Sequence, residues 1–326
     1  MKSPITGNDM ILQKEERTLS FRNEKIKISY HFYLCVDSKE RFENDYLAHL
    51  NIIQVYNKYR ERLKLPFADE ISAIKDKYNL SARKMSDILG FGPNTYSNYE
   101  KGEIPSKANA RLIQLAEEPD ELFRLANYSN NLTEKLKIKI TELQNSSNSI
   151  WNIESFFKEN TQSSINGYKM FTQDKAYQMV LFFAESIQPW KTKLNKLLFY
   201  SDFLHFKNYG YSISGLKYAA IDYGPVPDEY EILFTFGRQN KIFKKQNVDI
   251  NNEVSGEKIV PMHDSIFNNG FFDEKELETL NVVLNNFRYV SSTDIVKMSH
   301  KEKAWIDNYK QNKYIDYKYS FDLIYV

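Results

Sequence analysis

Apolar and polar positions change rhythm several times along the chain, and each change predicts a different kind of element. Thr18-Leu19-Ser20-Phe21-Arg22 and Ile26-Lys27-Ile28-Ser29-Tyr30 alternate one for one, the period of half-buried strands, with Asn23-Glu24-Lys25 as the turn between them. From Glu43 to about Leu63 the period lengthens. Leu47, Leu50, Ile53 (or Gln54) and Asn57 fall near one stripe of a helix that Leu65-Pro66 ends. The stretch from about Ala68 to Asn127 is helical throughout, with short breaks. From about Tyr128 to Phe171 the chain is rich in Asn, Ser, Gln and Lys, which predicts a helical extension followed by a linker, least structured at Asn145-Ser146-Ser147-Asn148-Ser149. Helical spacing returns from about Thr172 to Val326. Ala176, Met179, Val180, Phe183 and Ala184 make one stripe, Leu194, Leu197, Leu198 and Ser201 the next. Asp273 with Glu276 forms a capping pattern ahead of Leu277, Leu280, Leu284 and Phe287.

These elements predict a mainly α protein with a small N-terminal β-unit, in four segments. Residues 1–66 hold the β-unit and its helix, 67–128 a helix-turn-helix domain, 129–171 the extension and linker, and 172–326 a C-terminal helical domain. No repeat at a solenoid period is present.

The most informative stretch is Leu80 to Arg111. Ser81 is placed to cap a short helix that buries Met85, Ile88 and Leu89, and Gly90-Phe91-Gly92 supplies a tight turn. Pro93 suits the first position of a second helix running to about Lys101, which Gly102 stops. Ile104-Pro105 breaks the chain again, and Ser106 caps a third helix whose Ala110, Ile113 and Leu115 are expected to pack back on the pair. Two short helices across a Gly-containing turn can lay the second helix in a DNA major groove. Asn94 and Asn98 lie one turn apart on its face, and Asn makes the bidentate contact to adenine. Thr95 and Ser97 reach phosphate or bases, while Arg83, Lys84, Lys101, Lys107 and Arg111 hold phosphates and fix register. Those five bases face three acids, Asp87, Glu100 and Glu103. So small a local excess predicts binding as a homodimer on two half-sites.

Composition narrows the function. A net charge of +1 over 326 residues argues against a general polyanion binder, so any DNA contact must come from that local cluster. Apolar residues at 42% and charged residues at 27% have the balance of a globular protein. No run approaches the roughly 18 apolar residues of a membrane span, and Met1 to Met10 lack a signal-peptide layout; the expected location is cytoplasmic, with no membrane partner. The single cysteine, Cys35, makes neither an internal disulfide nor a Cys-rich metal site. Asp202 and His205, at i and i+3, are expected to form a local polar pair. His205, His263 and His300 show no spacing that brings nucleophile, base and orienter together, so no enzyme and no cofactor is expected.

The run Ile88 to Gly102 resembles the turn and recognition helix of Xre-type repressors, and its Ser-x-Tyr-Glu-Lys-Gly ending is similar to the MqsA (YgiT-type) antitoxins. That resemblance implies base reading at Asn94 and at the position of Asn98, where the family carries Arg; Ala82 stands where many Xre helices begin with a phosphate-contacting Gln. The opening Ser3-Pro4-Ile5-Thr6 and Leu34-Cys35-Val36-Asp37-Ser38 resemble the zinc-binding segment of the same antitoxins, with three of its four cysteines replaced, so no zinc is expected. Lys193-Leu194-Asn195-Lys196-Leu197-Leu198-Phe199-Tyr200-Ser201-Asp202, then Ala219 to Val226 with its Tyr-Gly-Pro-Val, then Ser299-His300 and Trp305 resemble the Panacea (SocA-like, phage GepA-like) domain. That domain implies a protein-interaction module that serves as antitoxin beside different toxins. The expected function is therefore an antitoxin that binds a cognate toxin protein and represses its own operon on double-stranded operator DNA. A transcription regulator or a proteolytic adaptor without a co-encoded toxin is the alternative. Tyr209, Tyr211 and Tyr223 are the residues expected to touch the toxin, because interface cores favour aromatics.

Overall fold

The alternation at residues 18–30 marks only the inner half of a longer hairpin. In the computed structural model, which describes residues 1–146, 157, 161–251, 254–311 and 313–326, β1 (Ile11–Phe21) pairs antiparallel with β2 (Glu24–Leu34) from Ile11↔Leu34 to Phe21↔Glu24. A two-residue β3 (Arg41–Phe42) joins on the far side of β2. The turn is two residues, not the three expected. Arg22 (φ 44°) and Asn23 (φ 67°) are both left-handed, the geometry whose twist matches the flanking strands, and Glu24 and Lys25 belong to β2.

Helix α1 (Asp45–Leu63) buries Leu47 and Leu50 as its stripe predicts, but continues inward with Asn51 and Gln54 rather than Ile53. The reason is the backbone of β2. Gln54 accepts from Ser29 N (3.1 Å) and donates to Ser29 O (2.8 Å); Asn51 does the same at His31 (2.8 and 2.9 Å). The two amides occupy peptide groups that an unpaired strand edge would leave open.

The chain divides into two compact units, Met1–Val55 with Ile153–Val326, and Tyr56–Asn152. In the first, β1 meets the chain's far end: Lys14 Nζ donates to Phe321 O (2.8 Å) and to Asp322 Oδ1 (2.6 Å), and the His31 and Phe321 rings lie 4.7 Å apart. The second unit holds α2 (Ala68–Lys77), α3 (Ala82–Leu89), α4 (Thr95–Glu100), α5 (Lys107–Leu115), α6 (Pro119–Tyr128) and α7 (Glu134–Ser146) around one core that includes Ile71, Met85, Ile88, Tyr96, Ile113 and Leu122. Asn145 and Ser146 close α7, while residues 147–149 of the expected unstructured stretch lie outside the described residues.

The C-terminal segment of the first unit is built on α9 (Lys191–Tyr209), whose residues from Lys193 to Phe206 are all buried. Around it lie α8 (Gln173–Ile187), α10 (Tyr230–Gln239), α11 (Glu274–Phe287), α12 (Ser292–Ser299), the short α13 (Lys303–Ile306) and the 3-10 turn Tyr317–Asp322. Two hairpins interrupt the helices: β4 (Tyr218–Ile221) with β5 (Gly224–Pro227), and β6 (Phe243–Asn251) with β7 (Val254–Pro261). Each fully buried Leu or Phe of α9 contributes roughly 1.5–3 kcal/mol of apolar burial. The predicted caps form as written: Ser81, Ser106 and Asp273 each accept the N–H three residues on, and Glu276 completes the capping box. Among the described residues no helix is long and apolar enough to cross a membrane.

Candidate functional site

A helix buried on every side must satisfy whatever polar groups it carries, because an unpaired buried group costs about 1–3 kcal/mol. In α9 those groups are Lys193, Asn195, Lys196, Ser201, Asp202 and His205. Asp202 accepts four hydrogen bonds from the segment leading into β4: Ile213 N (2.8 Å), Ser214 N (2.9 Å), Ser214 Oγ (2.5 Å) and Tyr218 OH (2.7 Å). Burial raises its carboxyl above the ordinary range, and the four donors offset that only in part. The expected Asp202–His205 pair does not form. His205 faces α11, where its Nδ1 lies 3.1 Å from Thr279 Oγ1, and burial lowers its pKa to about 3, leaving a neutral ring. Helical spacing put the two on neighbouring positions, but each found a stronger partner on another element.

Two turns earlier, Lys196 is wholly buried and donates to Pro225 O of β5 (2.8 Å). Burial brings its ammonium down to about 7. Gly224 sits directly on it with φ +95°, and a Cβ there would stand 2.7 Å from Lys196 Cε and closer still to Ser299 Oγ. The other side of the hairpin is tied to the late segment. Trp305 Nε1 donates to Ile221 O (2.8 Å) and Tyr309 OH to Asp222 Oδ1 (2.8 Å). The His300, Trp305 and Tyr309 rings stack in series at 4.1 and 4.4 Å. Burial, then the nearby Lys196, lowers the His300 pKa, so that ring also stacks as a neutral aromatic. Two sequence segments thus converge on one hairpin, and its turn presents Tyr223, 69% exposed. Tyr209 and Tyr211 do not join it. They follow Lys196 by 13 or more residues, roughly 20 Å along the helix, where the Tyr209 ring lies tilted against His205, 4.7 Å between centroids, with Lys275 over it, and Lys169 stands over Tyr211.

In the second unit, α3 ends at Gly90 (φ +70°) and α4 begins only at Thr95, two residues later than the sequence pattern has it, so Pro93 and Asn94 stand in the turn. Tyr96 and Tyr99 anchor α4: Tyr96 OH donates to Ile71 O (2.7 Å), and Tyr99 OH accepts from Asn109 Nδ2 (2.8 Å). Burying those two faces turns Asn94 and Asn98 out to solvent, with Thr95 and Ser97 half-buried beside them. Arg83, Lys101, Lys107 and Arg111 are exposed; Arg111 donates to Gln114 (2.6 Å). Lys84 is already engaged with Asn131 Oδ1 (2.7 Å).

The four positions that resemble zinc ligands also come together. Hydrogen bonds from Ser3, then Ser38 and Thr6, lower the Cys35 thiol to about 6, and Thr6 Oγ1 lies 3.5 Å from its sulfur. One thiol and three hydroxyls are not the donor set of a structural zinc. The residues do not fit the metal: they make a hydrogen-bonded knuckle around a buried sulfur. Among the described residues no group of three or more His, Cys, Asp or Glu is placed to hold a metal ion.

Residues 194–306 match the family model of the antitoxin SocA-like, Panacea domain. The matched span holds most of α9, the β4–β5 hairpin and the Ser299-His300 to Trp305 segment, the three pieces that converge. No curated protein matches the chain.

Proposed function

We propose that the chain is an antitoxin with two linked actions: its C-terminal body binds and silences a partner toxin protein, and its helix-turn-helix represses its own operon as a homodimer on double-stranded operator DNA. The observation that carries the first action is the family match over residues 194–306, joined to the clamped hairpin that lies within it. A turn held from below by Lys196 and from the side by Trp305 and Tyr309 loses little entropy on binding, which suits an aromatic anchor such as Tyr223. The second action is supported by the short helix α4, whose tyrosines face the core while Asn98, and Asn94 just before it, face solvent, as Arg83, Lys101 and Lys107 do.

The test is expression of the neighbouring reading frame with and without this chain. Growth arrest by the neighbour alone, relieved by co-expression and accompanied by a stable co-purified complex, is the expected result; arrest that persists despite soluble antitoxin would sink it. Tyr223→Ala should weaken capture of that protein at least tenfold, about the effect of losing a hot-spot aromatic, with the melting temperature unchanged. Asn94→Ala with Asn98→Ala should cost about 1–3 kcal/mol of discrimination per lost base contact, read as equalised affinities for operator and scrambled DNA, while rescue from the toxin stays intact. Loss of both activities in a folded variant would refute the division of labour.

A further inference from the structure

Asn94 immediately precedes α4, a position from which an asparagine can cap a helix, yet its backbone is near-helical (φ −105°, ψ −1°) rather than extended and its side chain makes no capping hydrogen bond. Of the two N–H groups such a cap can reach, those of Tyr96 and Ser97, the first is taken by Ser86 Oγ from α3 at 3.2 Å. Ser86 is fully buried. Its backbone carbonyl also accepts from Gly90 N and from Phe91 N (2.8 Å), so one residue binds the chain on both sides of the turn. The hydroxyl reaches α4 from beneath, through the core side, and leaves the solvent side to Asn94.

We infer that Ser86 is a positioning residue for base recognition: by capping α4 in place of Asn94, it keeps both the carbonyl and the amino group of the Asn94 side chain available for a base edge. The inference rests on the DNA-binding reading above and deepens it. The amide needs both of its groups for the two-hydrogen-bond contact to adenine. An Asn94 occupied with Tyr96 N would offer only its amino group, and discrimination would fall while phosphate contacts and overall docking stayed as they were. Removing the Ser86 hydroxyl gives the vacant Tyr96 N–H a competing claim on Asn94. A helix cap is worth about 1 kcal/mol, so the competition should reduce discrimination about fivefold.

The experiment uses the full-length chain and the DNA upstream of its own reading frame, with single base-pair changes across the site. The position that Asn94 reads is the one at which Asn94→Ala loses preference. Ser86→Ala is expected to lose about fivefold in preference at that position alone, with the salt dependence of binding unchanged. Ser86→Thr, which keeps the hydroxyl, should restore it. In an Asn94→Ala background Ser86→Ala should have no further effect on preference, which separates positioning from general destabilisation. Ser86→Cys, of similar volume and a poorer acceptor, replaces the alanine variant if that one does not fold. An equal loss at every position, or full preference retained without the hydroxyl, overturns the inference while leaving DNA binding standing. A wild-type chain with no preference for its upstream DNA overturns both.

Discussion

Replacing Asp202 with alanine is expected to lower the unfolding free energy by about 3–5 kcal/mol, the cost of stripping one partner from a buried, charge-assisted network. The carboxylate is fully buried and accepts from Ile213 N, Ser214 N, Ser214 Oγ and Tyr218 OH. Alanine leaves all four donors facing an apolar space, and water cannot follow them without opening the loop. Asn should be milder, because its carbonyl still serves the two backbone N–H groups while the Ser214 and Tyr218 hydroxyls rotate to accept from its amino group. Denaturant unfolding of the three proteins measures the order wild type, Asn, Ala. Hydrogen exchange should show the Ile213 and Ser214 amides losing protection first in the alanine variant. A destabilisation below 1 kcal/mol would mean that Asp202 does not hold this loop. On the toxin-binding role proposed for Tyr223, capture of the partner should weaken as well, since the same loop leads into β4 and so into the hairpin that carries it.

What a sequence makes legible depends on how far apart the interacting residues lie. The caps at Ser81, Ser106 and Asp273 were readable because a side chain and the N–H it accepts are three residues apart. The stripes of α8 and α9 were readable because every apolar position in them is buried. The outer half of β1 was not. Its inward face begins with Glu15 and Arg17, which pair with each other (2.8 Å) while the Arg17 guanidinium lies over the Tyr30 ring, so charged residues occupy positions where alternation looks for apolar ones. The β6–β7 hairpin was hidden for a related reason: Lys244, Gln246 and Asn247 leave Phe243 and Val248 as the sole apolar residues between 243 and 248. The site divides along the same line. Spacing alone placed Asn98 on a helix face, but it placed Asn94 there too, where the structure has it in the turn, and the capping of that helix by Ser86 needs the fold of the turn. Likewise the Lys196, Tyr-Gly-Pro-Val and Trp305 motifs were visible one by one, and only packing shows that they clamp one hairpin.

The buried Lys196 gives that clamp a pH dependence whose sign follows from proton counting. In the unfolded chain the lysine holds its proton up to a pH near 10.4. In the folded chain, burial brings it down to about 7. Between those values the unfolded state binds more protons, so unfolding becomes less favourable as pH rises, by at most about 1.36 kcal/mol per pH unit. Below pH 7 the full cost of the buried charge is borne; toward pH 9 about 2–3 kcal/mol of it is relieved. Lys193 and Lys207, also lowered by burial, act in the same direction. The buried tyrosines Tyr200, Tyr218 and Tyr317 act oppositely, but only where free tyrosine ionises, near pH 10. His31 and His205, lowered to about 4 and about 3, affect stability below pH 6.5. Cys35, lowered to about 6 by its hydroxyl neighbours, acts in the same direction as the lysines over much of the window from pH 7 to 9, and Glu70, raised to about 7 by burial, acts oppositely at its lower edge, so it is the comparison with Lys196→Met that isolates this lysine. Methionine fills nearly the same volume and forfeits only the bond to Pro225 O, so its unfolding free energy should rise with pH less steeply than that of the wild type. Parallel slopes for the two proteins would show that Lys196 keeps its proton in the fold, by drawing water or a second acceptor to Nζ, and that the hairpin rests on a charged lysine after all.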